Sequence, residues 1–344
     1  MSKNIVVFSD GTGQEGGKGN NTNVYSLFNM VEDRTANQVA FYDRGLGTGW
    51  RKLTGNGAGA GISQNIIECY EFIFENYQAG DKIYLFGFSR GAFTVRSLSG
   101  FINLFGILPK SRPELIKTAY KIYKIKDRDK RKKKVEEFLS KHHNHWCDIE
   151  FIGVWDTVGA LGIPIKALDV IVDRITPFVH SFHDTKLCKS VKYGCHAISI
   201  DDERLTFHPT LWDENDPQTA QRVEQVWFAG VHTDVGGGYE DHGVADITLD
   251  WMVKKAKAKG LLIYPDHKIK TSPNVDGEIH DSREGIRSMF RKKSRREAES
   301  LVKYKKLKKI VVHQSVLDRA LDKKNQPGGY KPWVLEQEHE VKPW

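Results

Sequence analysis

The stretch Lys82-Ile-Tyr-Leu-Phe-Gly-Phe-Ser-Arg-Gly-Ala-Phe93 decides the fold of this chain. Its first half is a short apolar run that predicts a central β-strand, and residues 90–105 continue as a predicted helix. Between them, Gly87-Phe-Ser-Arg-Gly91 matches G-x-S-x-G in the strand–turn–helix context that a nucleophile elbow requires. The alternative is a tight turn in which Ser89 only caps the helix. We predict that Ser89 is a nucleophile.

Apolar strands alternate with helices along the rest of the chain. Strands are predicted at 5–8, 39–42, 148–155, 193–200, 225–231 and 308–312, and helices at 62–77 and 245–259. This alternation predicts an α/β fold, a single domain over residues 1–344 with a mostly parallel central sheet and helices on both faces. Helical inserts are expected near 110–145 and 163–190, the second as a small cap, and a charged surface excursion near 270–300.

Polar side chains gather where the predicted strands end. They are Asp10, Asp43, Ser89, Asp156, His232, Asp234 and His313. In open parallel sheets, ligands bind at the carboxyl ends of the strands. This common placement predicts an active site at that edge of the sheet.

A catalytic serine needs a base, and the base needs an orienting carboxylate. In the α/β-hydrolase fold the chain order is serine, acid, histidine. The simplest triad is Ser89, Asp234 and His313, because Asp234 follows the next-to-last predicted strand and His313 follows the last.

Each of these assignments has an alternative. Asp156 could be the acid, and His232 could be the base. Asp234 could instead organise the turn at 236–238, and His313 could be a residue near a helix N-cap or at the surface.

An oxyanion hole needs backbone N–H groups directed at the developing negative charge. We predict one donor from Arg90, the residue after the nucleophile, and a second from Gly11 or Thr12 in the loop after the first strand. Asp10 is expected to brace this loop, with a metal-ligand role as the alternative.

The formal net charge of +8 is concentrated in two basic stretches, residues 121–134 and 287–309. Such stretches are usually solvated helix faces, but they also favour peripheral contact with an anionic membrane. Few aromatic residues interleave with the basic ones, so no clear nucleic-acid site is predicted.

The chain shows no signal peptide and no apolar run long enough to span a membrane, which predicts a cytoplasmic protein or one exported without a cleaved signal. The four cysteines form no C-x-x-C pair and are expected to be reduced thiols. The His/Cys-rich stretch 142–148 lacks a second matching cluster, so we predict neither a metal nor a cofactor.

Seven ordered segments carry a family resemblance. They are Phe8–Thr12, Tyr42–Thr48, Gly87–Phe93, Gly153–Gly159, Gly230–Tyr239, His313–Arg319 and Gly329–Pro332. Together they resemble the DUF2235 family, the catalytic domain of Tle1-type phospholipase effectors. The resemblance implies an α/β-hydrolase fold and a Ser-Asp-His triad. It places these roles on Ser89, Asp234 and His313 and leaves Asp156 as a residue near the site.

The leading hypothesis is therefore a serine esterase that cleaves carboxylic esters, with phospholipid acyl esters as the expected substrates. One alternative is a lipid- or nucleic-acid-binding module on a hydrolase scaffold. Another is a metal-assisted phosphodiesterase that uses Asp10, Asp156 and Asp234.

Overall fold

A computed structural model describes residues 2–11, 16–17, 19–45, 56–159, 186–204, 207–265, 267–283, 309–321 and 329–344. The predicted cap near 163–190 lies mostly outside the described residues, as does the second half of the excursion near 270–300.

Eight strands of the described residues form one sheet, in which all neighbouring strands are parallel. They are β1 (Asn4–Ser9), β2 (Gln38–Asp43), β3 (Lys82–Phe88), β4 (Ile149–Trp155), β5 (Val191–Ser199), β6 (Val223–Phe228), β7 (Ile310–His313) and β8 (His339–Lys342). Their spatial order is β2-β1-β3-β4-β5-β6-β7-β8. The order reverses between β1 and β3, and such a switch point opens a crevice at the carboxyl ends of the strands.

The described helices are α1 (Asn23–Met30), α2 (Asn56–Asn76), α3 (Arg90–Phe105), α4 (Leu115–Tyr123), α5 (Arg128–Leu139), α6 (Pro217–Ala220), α7 (His232–Gly236), α8 (Gly243–Lys257) and α9 (Gln314–Leu321). A 3₁₀ turn follows at Trp333–Glu336. Three helices begin at a side-chain cap: Thr22 accepts from the N–H of Tyr25 before α1, Asp127 from that of Lys130 before α5, and Asp216 from that of Thr219 before α6.

The core has two layers, one on each face of the sheet. Successive strand residues point to opposite faces. On β3, Ile83 and Leu85 pack with α2, α3 and α4, whereas Tyr84 and Phe86 pack with α1 and α8. All four are fully buried, and burying one such apolar side chain contributes about 1.5–3 kcal/mol. This two-sided burial explains why the strands are nearly continuous apolar runs.

The predicted helix over 90–105 coincides with α3. The region predicted as helical near 110–145 instead contains two helices, α4 and α5, and an irregular segment from 140 to 148. The elements that were not predicted are four short helices (α1, α6, α7 and α9), the 3₁₀ turn and the edge strand β8. His313 is the last residue of β7 rather than the residue after it.

Candidate active site

The turn between β3 and α3 holds Ser89 in a conformation that L-residues rarely adopt. Its φ is 58° and its ψ is −120°, a region that costs a non-glycine residue about 1–3 kcal/mol. Gly87 allows the turn to be this tight, because a Cβ there would lie 2.6 Å from the carbonyl group of Gly91. Gly91 allows the start of α3 to approach the end of β1, because a Cβ there would lie 1.9 Å from the carbonyl oxygen of Ser9. The N–H of Ser89 donates to the carbonyl oxygen of Trp155, the last residue of β4, at 3.1 Å. This is the strained strand–helix turn of a nucleophile elbow.

The loop after β1 lies against the same turn. A Cβ on Gly11 would lie 3.5 Å from the Cβ of Ser89. Asp10 is buried and accepts hydrogen bonds from the N–H of Gly11 at 2.7 Å and from the hydroxyls of Thr22 and Tyr42, both at 2.6 Å. Burial raises the pKa of Asp10 to about 6. These bonds fix the loop beside the serine at the switch point of the sheet.

The predicted oxyanion donors have different surroundings. The N–H of Gly11 donates to the carboxylate of Asp10 in this structure, and Thr12 lies outside the described residues. Arg90 is the first residue of α3, and first-turn N–H groups have no acceptor within their helix. Burial lowers the pKa of the Arg90 guanidinium to about 10, so it stays charged at neutral pH.

Asp156 follows β4, the strand next to β3, and has the second unusual backbone. Its φ is 36°, and in the part of the chain that the structure describes only Ser89 and Asp156 combine a side chain with positive φ. The Asp156 carboxylate is fully buried. Its Oδ2 lies 2.6 Å from Nδ1 of His232, and its Oδ1 accepts from the N–H of Ser199 at 3.0 Å. Strained residues cluster at functional sites, and these two end neighbouring strands.

His232 is the first residue of α7 and lies between two aromatic rings. Its ring centroid is 4.5 Å from that of Phe88 and 5.0 Å from that of Phe207. Because Nδ1 faces the Asp156 carboxylate, Nε2 is the ring nitrogen that can accept a proton. Burial lowers the pKa of His232, although Asp156 partly opposes the shift. The imidazole is therefore neutral at pH 7, as a general base must be.

Three carboxylates hold the turn that leads into His232. Each of three consecutive N–H groups donates to a different one: Gly230 to Asp201 at 2.7 Å, Val231 to Asp234 at 2.9 Å and His232 to Asp202 at 3.2 Å. Each carboxylate has a further partner: Tyr330 for Asp201, His280 for Asp234 and Arg204 for Asp202. The backbone that orients the His232 ring is thereby fixed from three sides.

Asp234 does not meet His313 as the sequence predicted. Its Oδ1 lies 2.7 Å from Nδ1 of His280, and its Oδ2 accepts from the N–H groups of Val231 and His280. Within the described residues, no hydrogen bond joins Asp234 to His313. Asp234 instead binds the backbone N–H groups of Val231 and His280, so it holds the turn into α7 and not the turn at 236–238 that the sequence offered as its alternative role.

His313 is also placed unlike a triad base. It is buried at the end of β7, and its ring stacks on Phe228 with centroids 4.9 Å apart. Its Nδ1 lies 2.9 Å from Oγ of Ser315 and accepts from the N–H of Ser315 at 3.3 Å. A triad histidine must donate through Nδ1 to its acid, and an Nδ1 that accepts a backbone N–H cannot do so. Burial lowers the pKa of His313 to about 4. The contacts favour the alternative of a residue near the helix N-cap, here that of α9.

The alternative of a metal-assisted phosphodiesterase requires a set of metal ligands. In the described part of the chain, no group of three or more His, Cys, Asp or Glu side chains could hold a metal ion. Asp10, Asp156 and Asp234 each accept hydrogen bonds from different groups instead.

Sequence reasoning missed several residues of this site, among them Asp201, Asp202 and His280. Asp202 comes three residues after β5, so the rule that polar residues at strand ends mark a site could have found it. His280 lies in a polar segment that shows no periodicity, and its pairing with Asp234 depends on a contact between positions 46 residues apart.

A parallel sheet with a strained serine between a central strand and its helix defines a protein of the α/β-hydrolase type. The family model for the T6SS phospholipase effector Tle1-like catalytic domain matches residues 3–255. The chain belongs to this family.

Several known proteins are similar to parts of the chain. An uncharacterized protein of Saccharomyces cerevisiae, YEL023C, is 30% identical over 230 residues, which is 60% of this chain and 32% of the yeast protein. The crystal structure of an uncharacterized protein from Pseudomonas aeruginosa superposes with a TM-score of 0.50 at 15% identity, over 80% of this chain and 49% of that one. The chain thus spans about a third to a half of these proteins, and the second match shows a shared fold.

A lower TM-score of 0.40, at 18% identity, relates 71% of this chain to 52% of the Tle1 effector in its structure bound to the VgrG spike of the type 6 secretion system.

Proposed function

We propose that this chain is a serine hydrolase that cleaves carboxylic esters, with phospholipid acyl esters as its substrates. In this proposal Ser89 is the nucleophile, His232 the general base and Asp156 the acid that orients the base. The family supports this function, because it is a family of phospholipase effector catalytic domains. The choice of base and acid rests on this chain's own geometry.

One observation carries the proposal. Ser89 and Asp156 have positive φ at the ends of two adjacent strands, and the Asp156 carboxylate lies 2.6 Å from Nδ1 of the buried His232. A strained serine on an elbow and a carboxylate–imidazole pair beside it are the parts that acyl transfer by a triad requires.

The reaction follows from these positions. Ser89 Oγ attacks the ester carbonyl carbon while Nε2 of His232 takes its proton. Asp156 keeps the Nδ1 proton in place and stabilises the imidazolium that forms. The N–H of Arg90 stabilises the oxyanion, together with a second donor from the loop that begins at Gly11. The imidazolium then gives its proton to the leaving alcohol, and water hydrolyses the acyl-enzyme by the same route.

No helix in the described residues is long and apolar enough to cross a membrane. We propose that the enzyme acts on lipid from the surface of a bilayer, by peripheral contact through its basic residues.

A fluorophosphonate probe tests the proposal, because it labels a serine only when a base activates it. We expect labelling of the purified chain and its loss in Ser89→Ala. Ser97→Ala, a change at another buried serine of α3, is the matched control and should label normally. Labelling that persists in Ser89→Ala would remove Ser89 as the nucleophile. Mass spectrometry of phospholipid vesicles incubated with wild type and Ser89→Ala should then show fatty acid and lysophospholipid with the wild type only.

A further inference from the structure

The basic stretch 121–134 forms a helical hairpin that the proposed chemistry does not use. It comprises the end of α4, the connecting turn and the first half of α5, and we call it the basic hairpin. It contains nine lysine and arginine residues and two aspartates. Eight of the nine basic side chains are exposed: Lys121, Lys124, Lys126, Arg128, Lys130, Lys132, Lys133 and Lys134.

The carboxyl ends of the strands, where the proposed active site lies, are here called the catalytic edge of the sheet. A series of contacts places the tip of the basic hairpin at this edge. The Ser9 hydroxyl, at the end of β1, donates to Asp43 at the end of β2. Asn65, in the middle of α2, donates to the same carboxylate at 2.9 Å. Ser63, two residues earlier on α2, accepts from Nζ of Lys124 at 3.5 Å. Lys124 follows α4 directly, so the end of α4 lies beside the carboxyl ends of the strands.

The other ends of α4 and α5 lie at the opposite edge of the sheet. Lys110, shortly before α4, donates to the carbonyl oxygen of Glu75 near the end of α2. Phe138, near the end of α5, packs edge-to-face on Phe105 at the end of α3, with ring centroids 5.4 Å apart. The two helices therefore run from that edge to the catalytic edge and back.

Folding does not account for this charge. Lys124 contacts Ser63. Among the seven other exposed basic residues of the hairpin, only Lys134 lies within salt-bridge distance of a carboxylate of the described residues, that of Glu137. Arg128 and Lys130 occupy the first turn of α5, where the helix dipole disfavours cations. Like charges four positions apart, such as Arg128 and Lys132, also repel. Arg131 alone is buried, and it donates to the carbonyl of Ile125 at 2.8 Å.

We propose that the basic hairpin docks on the headgroups of anionic phospholipids and holds the catalytic edge against the membrane surface. The proposal rests on the proposed phospholipase function, since it names the surface that presents the substrate to Ser89. Each lysine or arginine near an anionic bilayer strengthens binding by about fivefold. Tyr123 within the hairpin and Tyr120 next to it are buried, so they are not available to stack on nucleic-acid bases.

Two matched triple variants test the docking surface. The hairpin variant carries Lys126→Gln, Lys130→Gln and Lys133→Gln. The control variant carries Lys82→Gln, Lys189→Gln and Lys257→Gln, which change three exposed lysines at the opposite edge. All proteins also carry Ser89→Ala, so that binding is measured without turnover. Sedimentation with phosphatidylcholine vesicles, with and without phosphatidylglycerol, gives the affinities.

We expect binding that requires phosphatidylglycerol and weakens with added salt. The hairpin variant should bind on the order of 100-fold more weakly, and the control variant less than tenfold more weakly. Equal weakening of both variants, or no binding of the parent to anionic vesicles, would overturn the proposal. So would hairpin-dependent binding to single-stranded RNA that is tighter than binding to vesicles.

A second measurement separates this inference from the proposed catalysis. With Ser89 restored, the hairpin variant should keep the parental rate on a water-soluble short-chain ester and lose rate only on anionic vesicles. A parent that binds vesicles but turns over neither substrate would refute the enzyme and leave the docking surface intact. An equal loss of rate on both substrates in the hairpin variant would refute the docking role.

Discussion

Replacing Asp156 by asparagine is the sharpest test of the assigned triad, because the structure predicts how the amide will turn. The carboxylate has donors on both sides: the backbone N–H of Ser199 faces Oδ1, and Nδ1 of His232 faces Oδ2. Asparagine has only one acceptor oxygen for these two positions. The backbone N–H cannot change its polarity, so the amide oxygen will face Ser199 and the NH₂ group will face His232.

The rate loss follows from that orientation. An NH₂ group beside Nδ1 forces this nitrogen to act as an acceptor, which moves the imidazole proton to Nε2. A protonated Nε2 cannot take the proton of Ser89. We therefore expect kcat to fall by about 10³–10⁴, which corresponds to about 4–5.5 kcal/mol of transition-state stabilisation. The variant should still fold, because the side chain keeps its volume and one of its hydrogen bonds.

We would compare kcat of Asp156→Asn with that of Asp234→Asn in the hydrolysis of p-nitrophenyl butyrate. Circular dichroism would confirm that both variants fold. Asp234 holds the turn before His232 and its partner His280. Asp234→Asn should therefore lower the free energy of unfolding by about 1–3 kcal/mol and keep kcat within tenfold. The reverse result, a near-normal Asp156→Asn and an inactive Asp234→Asn, would refute the assignment and restore Asp234 as the acid.

Three further outcomes follow from the geometry. The pH profile of kcat/KM should rise through a midpoint below 6.5, because burial lowers the pKa of His232 from that value and only the neutral ring accepts a proton; a midpoint above 7 would contradict this. Protons bind His313 more weakly in the folded state, with a pKa of about 4 against 6.5 unfolded, so acid favours unfolding. Between pH 6.5 and 4 this should lower the free energy of unfolding by up to about 3 kcal/mol. In urea titrations at pH 7 and 4.5, the free energy of unfolding of His313→Asn should change less between the two pH values than that of the wild type, and the variant should keep its kcat. An equal change in both proteins, or an inactive variant, would argue against a structural role for His313. Gly91→Ala should lower the free energy of unfolding by more than about 3 kcal/mol, because its Cβ would lie 1.9 Å from the Ser9 carbonyl oxygen. A Cβ on Gly159 would meet no atom of the described residues within 4 Å, so Gly159→Ala should be nearly neutral in thermal melts.

The sheet could be predicted from the sequence because its strands are buried on both faces. Such strands are nearly continuous apolar runs. The clearest sequence signal is the strand Lys82–Phe88, which leads through the serine turn into the helix Arg90–Phe105. The edge strand β8 could not be found in this way. Its four residues are His, Glu, Val and Lys, all at least partly exposed, so neither an apolar run nor an alternating pattern marks them.

The proposed nucleophile could be predicted because its sequence context is local, whereas the proposed acid and base depend on contacts that no spacing reveals. His313 ends a strand in the expected order, yet Ser315, two residues away, takes its Nδ1. Asp234 lies two residues after His232, and its carboxylate turns toward the backbone of Val231. Asp234 and His313 both fit the chain order and the residue types expected of an acid and a base. Only the three-dimensional partners distinguish a residue that braces a turn from one that orients a base.

The arrangement of the site follows from the order of the strands. Ser89, Asp156, Ser199 and His232 end or follow β3, β4, β5 and β6, which are consecutive neighbours in the sheet. Asp156 lies beside the elbow and is anchored to the end of β5 through the N–H of Ser199. His232 enters from one strand further, and the turn after β6 directs its ring back over Phe88 to the carboxylate. An acid after β4 is therefore one strand from the nucleophile, whereas His313 ends β7, four strands away. Neighbouring strands of a sheet lie about 4.8 Å apart, so the distance across the sheet favours Asp156 as the acid. His232 reaches the same place because the turn after β6 directs its ring back over Phe88, whereas the His313 ring packs on Phe228.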